Sequence, residues 1–128
     1  MAQPHQVVRD GYALRASTVV STALDPATAR SHGIDPAPDR GVLNVVVEKT
    51  TAARGNVSAK VSAVARNLAG MQREIPMREA RSRNGMVSYV GAYDFAPREV
   101  LEFRIEAQPE GEAAELELEF RDRLPTLR

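Results

Sequence analysis

The strictest constraint in this chain is alternation. Leu101, Phe103, Ile105 and Ala107 take every second position, with Glu102, Arg104 and Glu106 between them. Leu116, Leu118 and Phe120 repeat the pattern against Glu115, Glu117, Glu119 and Arg121. Successive side chains of a strand point to opposite faces, so both segments read as strands with one apolar and one charged side. A helix would scatter Leu116, Leu118 and Phe120 round its cylinder at about 100° per residue.

The same period recurs upstream. Tyr12, Leu14, Ala16, Thr18 and Val20 share one face of a strand over 12–20. Residues 42–49 are the most apolar run, and a strand covered on both faces is a central one. Residues 57–68 alternate Val57, Ala59, Val61, Ala63 and Ala65 with polar partners. Residues 72–79 read as a strand with Pro76 at its centre. Proline cannot donate to a ladder, so this strand is expected at an edge or bulged. Asn84-Gly85 suits a hairpin turn into residues 86–93, where Gly91 marks a bulge or a close backbone approach.

One helix interrupts the strands. Asp25 is placed to cap it, Pro26 fits its first position, and Gly33 fits a left-handed stop. Seven short strands in 128 residues predict an all-β fold. The expected form is an immunoglobulin-like antiparallel β-sandwich with one short helix after the first strand. A small barrel is the alternative. Residues 1–10 are expected to be loose, and residues 11–128 to form the single domain.

Composition removes many chemistries. The chain has no cysteine, so disulfides, thiolate metal sites and thiol nucleophiles are out. Seventeen basic and seventeen acidic residues cancel, and there is no tryptophan, which argues against nucleic acid as a partner. No apolar run is long enough to span a membrane. The two histidines, His5 and His32, have no metal-ligand or nucleophile spacing. Asp25, Asp35 and Asp39 border one loop, but they match no calcium-binding spacing, and Asp25 is better used as a cap. Tyr12, Tyr89 and Tyr93 are expected in the core rather than lining a cleft. No cofactor, metal or catalytic set is expected.

The zero charge hides an asymmetry. Residues 1–98 carry 13 basic and 8 acidic groups, and residues 99–128 carry 4 and 9. Outward glutamates of the closing strands account for the acidic excess. The basic stretch leaves an alternative function open, an anion site built from Arg66, Arg73, Arg78 and Arg81, with Arg83 beside them.

Several short elements in order carry a family resemblance. They are Leu24-Asp25-Pro26, Gly33-Ile34, Leu43-Asn44-Val45, Asn67-Leu68-Ala69-Gly70, Tyr89 and Leu101-Glu102-Phe103. The chain resembles a proteobacterial family of small exported proteins known as domain of unknown function 4426. Asn67, Leu68 and Gly70 form its most distinctive element. The resemblance implies a single sandwich domain and a periplasmic location, with this chain the mature form of an exported precursor. It carries no catalytic residues. The expected function is a non-catalytic binding or accessory module for an unknown protein or small-molecule partner.

Overall fold

The alternating segments pair into two antiparallel sheets packed face to face, an all-β sandwich carrying one short helix. The computed structural model describes residues 5–50, 55–81 and 85–123. Asn84 of the expected hairpin and Arg83 lie outside them. In the first sheet the order is β1 (His5–Arg9), β2 (Tyr12–Val20), β3 (Arg40–Lys49), β8 (Val87–Asp94) and β7 (Arg78–Arg81). The two-residue β4 (Gly55–Asn56) pairs with the end of β3. In the second sheet the order is β10 (Leu116–Asp122), β9 (Leu101–Pro109), β5 (Ala59–Asn67) and β6 (Gln72–Ile75).

The predicted apolar faces meet in the middle. Leu14, Leu43, Val45 and Val47 come from the first sheet, and Ala63, Ala65, Phe103 and Ile105 from the second. Phe103 stacks on Phe120 at 5.0 Å and meets the Tyr93 ring edge-on at 5.1 Å. Such pairs add to plain area burial. As expected, β3 is central, lying between β2 and β8.

Helix α1 (Pro26–Ser31) is built as its punctuation predicts. The Asp25 carboxylate accepts from the Thr28 amide, and Pro26 opens the helix. Gly33 has φ +69°, and the amides of Gly33 and Ile34 reach back to the carbonyls of Arg30 and Ala29. That pair of bonds is a Schellman stop. Ile34 and Ala29 then pack on Val42 and Val90, the outer face of the first sheet.

Three expectations need correction. Residues 5–9 are not loose: they form β1, paired with β2 from His5↔Ala16 to Arg9↔Tyr12. Asp10 (φ 53°) and Gly11 (φ 81°) make the two-residue turn, and positive φ at both positions suits the twist of a hairpin. His5 stacks on Phe120 of the other sheet at 4.1 Å. Second, the strand expected over 57–68 is shorter at its start: it is β5, Ala59–Asn67, because the chain leaves the first sheet after β4 and enters the second only at Ala59. Third, residues 72–79 divide at Pro76 and Met77 into β6 and β7, which lie in different sheets. The missing N–H of proline ends one ladder there, and both pieces are edge strands.

Gly91 lies in unbroken register opposite Leu43, so there is no bulge. The close approach is real: a Cβ there would sit 2.7 Å from the Pro76 carbonyl oxygen and from Ile75 Cγ2.

Two core tyrosines give the fold an alkaline limit. Burial pushes the hydroxyls of Tyr89 and Tyr93 above the ordinary value of 10.0. Below about pH 10 folded and unfolded chains hold the same phenolic protons. Above it the unfolded chain sheds them first, so stability falls as pH rises. The Tyr93 hydroxyl is buried and makes no hydrogen bond among the described residues. Tyr93→Phe is therefore expected to leave stability at pH 7 unchanged or raised, and to flatten the alkaline loss. Denaturant melts between pH 7 and 11 check both arms.

Candidate functional site

The structure separates the four arginines of the basic stretch. Arg66 projects from the outer face of the second sheet, in register with Gln72 and Glu102. It lines a shallow depression of ≈ 490 Å³ with Glu102, Arg104, Glu106 and Glu119. That face is largely self-neutralised. Arg104 reaches Glu117 at 3.0 Å and Glu119 at 3.8 Å, and Arg121 reaches Glu102 at 3.4 Å. The hydrogen bond from Arg104 holds the Glu117 carboxyl below its usual range. Exposed pairs like these contribute little to stability.

Arg73, on edge strand β6, donates to the Asp94 carbonyl at 3.4 Å. Arg78 lies over the end of α1 and donates to the His32 carbonyl at 3.3 Å. Arg81 donates to Glu79 at 3.2 Å and Ser58 at 3.4 Å. Arg78 and Arg81 border one groove with Glu79 in it. Arg66 is on the other sheet, so the four do not converge on one anion. The separation follows from the β6–β7 break, which sends Arg73 and Arg78 to different sheets.

The tyrosines scatter likewise. Tyr89 accepts from the Ala59 amide at 2.8 Å and donates to Glu79 at 3.2 Å, tying the two sheets together. Tyr93 is in the core. Tyr12 donates to Glu112 at 3.1 Å. Among the described residues no three His, Cys, Asp or Glu side chains gather as a metal site.

One constellation is built rather than scattered, the turn from Asn67 to Met71 joining β5 to β6. The Asn67 Oδ1 accepts from the amides of Ala69 at 3.0 Å and Met71 at 2.9 Å. Its backbone amide donates to the Met71 carbonyl, and the Gly70 amide to the Asn67 carbonyl. Asparagine is suited to this because its side chain imitates a backbone turn. Gly70 takes φ +89°, a conformation open to glycine. The Asn67 Nδ2 donates to Glu99 Oε2 at 3.4 Å, and Glu99 Oε1 accepts from the Ala96 amide at 3.0 Å. The 95–100 loop is thereby clamped to the turn.

What the clamp displays is apolar. Leu68 is 66% exposed and Met71 is 69% exposed, more than any other large hydrophobic side chain among the described residues. The distinctive Asn67-Leu68-Ala69-Gly70 element is therefore a rigid support for side chains that contribute nothing to the core. Met71, Arg98 and Glu99 were not among the expected site residues. Met71 had a legible signal, an apolar residue in a turn. Arg98 and Glu99 come to the turn only through the clamp.

The family model described as a domain of unknown function (DUF4426) matches residues 6–125. The chain is similar to a DUF4426 family protein from Pseudomonas aeruginosa PAO1 known from a crystal structure. The TM-score is 0.85 at 21% identity, covering 98% of this chain and 97% of that one. At that identity the likeness shows a shared fold. No curated protein matches the chain.

Proposed function

The chain belongs to the DUF4426 family, and on that footing we propose that it is a periplasmic module acting by binding rather than catalysis. The observation that carries this is the Asn67 turn, which fixes five residues with four hydrogen bonds and leaves Leu68 and Met71 in solvent. A core-building turn would bury such side chains, since each buried leucine or methionine stabilises by about 1.5–3 kcal/mol. Sandwich domains, immunoglobulin-like ones included, bind through end loops held on a rigid scaffold. The periplasmic location is supported by the resemblance to exported proteins and is compatible with a cysteine-free chain.

The missing cysteines make the test clean. A single cysteine replaces Ala69 at the turn or Arg30 on α1, and carries a photo-crosslinker. In periplasm-containing cells, adducts are expected from position 69, not from position 30, and are expected to vanish with Leu68→Ser plus Met71→Ser. Equal labelling at both positions, no labelling at 69, or recovery of the protein in the cytosolic fraction would overturn the reading.

A further inference from the structure

We infer that the Asn67 turn docks on an anionic phospholipid surface, with Leu68 and Met71 entering the headgroup layer and flanking arginines facing lipid phosphates. The inference rests on the binding role of the turn and names its occupant.

Charge supports it first. Arg66 precedes the turn on β5, and Arg73 follows it on β6. Arg98 is held nearby because its neighbour Glu99 is clamped to Asn67. None of the three forms an ion pair among the described residues, and Arg66 and Arg98 make no hydrogen bond there either. Arg73 is bonded to a carbonyl, which leaves its charge uncompensated. Glu99 is the carboxylate touching the turn, and both its oxygens are engaged inward by Asn67 and Ala96. Glu74 lies farther from the tip along β6, opposite Val64. Of the other carboxylates at this end, Asp94 pairs with Arg40 and Glu102 with Arg121, while Asp122, in line with Leu101 and Asn67, accepts from Thr18.

Backbone geometry adds to this. Arg98 has φ 63°, a region non-glycine residues seldom take, at the third place of the turn Ala96-Pro97-Arg98-Glu99. Glycine would sit there with less strain. An arginine at a strained turn, with no side-chain partner among the described residues, fits a role outside the fold.

Size decides between a bilayer and a protein. A stable protein complex buries about 800 Å² on each partner, with a well-packed centre. Two side chains on a five-residue turn fall far short of that. A lipid interface demands no matching shape, and combines a few apolar insertions with basic residues near anionic headgroups.

The test uses the full chain with an environment-sensitive dye on Ala69→Cys. Vesicles are phosphatidylcholine alone or phosphatidylcholine mixed with phosphatidylglycerol. Binding with a blue shift is expected on the mixed vesicles only, and it weakens with salt. Leu68→Ser plus Met71→Ser, and separately Arg66→Glu plus Arg98→Glu, are each expected to weaken it about tenfold or more. All four side chains are exposed, so both pairs are expected to remain folded, which thermal melts check. Free glycerol phosphate is expected not to compete. No binding, equal binding to neutral vesicles, competition by free phosphate, or indifference to either pair overturns the lipid inference. Protein adducts at position 69 in cells, with no vesicle binding, would leave the binding role standing and reject the bilayer as its occupant.

Discussion

Gly91→Ala is expected to destabilise the sandwich by about 1–3 kcal/mol, the range for forcing a methyl into a packed site. At this chain length that is on the order of 4 °C in melting temperature per kcal/mol. The position looks tolerant, being mid-strand with an ordinary negative φ. Its cost comes from the β6–β7 crossover, which passes directly over it. A new Cβ would meet Met77 Sδ at 2.6 Å and the Pro76 carbonyl oxygen at 2.7 Å. The thioether can swing away, but the carbonyl belongs to the backbone that links the two sheets. A second change separates these contributions. If Met77 were the obstacle, adding Met77→Ala would restore stability. The Pro76 carbonyl predicts no such rescue. Chemical denaturation of the single and double variants reads the difference, and an unaltered Gly91→Ala protein would show that the crossover can drift.

The second large effect is at Asn67. Asn67→Ala removes the acceptor for two amides and the tie to Glu99. Water can replace some of these bonds because the turn is exposed, so the expected loss is about 1–2 kcal/mol. The local effect is larger than the global one: the amides of Ala69 and Met71 lose their protection, and the 95–100 loop is released. Asn67→Asp keeps an acceptor for both amides but sets a carboxylate against Glu99. It is expected to fall between the parent and Asn67→Ala. Backbone amide exchange across the three proteins, alongside their melting temperatures, checks the order.

How much of this was legible in the residues depends on the range of the interaction. Period-two alternation placed β2, β9 and β10, because a strand buried on one face must alternate, and an apolar run covered on both faces placed β3. Capping chemistry placed α1, since Asp25, Pro26 and Gly33 act within a few residues of themselves. Asp10-Gly11 is equally local, a two-residue hairpin signal that makes β1 a paired strand where a loose tail is expected from its polar composition. Pro76 marks an edge, as both β6 and β7 are, but the single strand expected across it is two strands in different sheets. Nothing local says whether a chain resumes in the same sheet or crosses to the other, and that choice decided the fate of the arginines. A basic stretch close in sequence was divided between two sheets, while Arg98 came to the turn from a distant loop. Asn67, Leu68 and Gly70 were visible as a motif. Their purpose emerged only with the exposure of Leu68 and Met71, a property set by the whole fold.

Every functional proposal for this molecule depends on a turn that is ordered while its apolar side chains stay wet. Hydrogen exchange resolved at single amides, with side-chain accessibility read from solvent relaxation, measures both at once. Slowed exchange at Ala69 and Met71, together with solvent-accessible Leu68 and Met71 methyls in the free protein, is the predicted result. Exchange at open-chain rates, or methyls shielded from water, would contradict it.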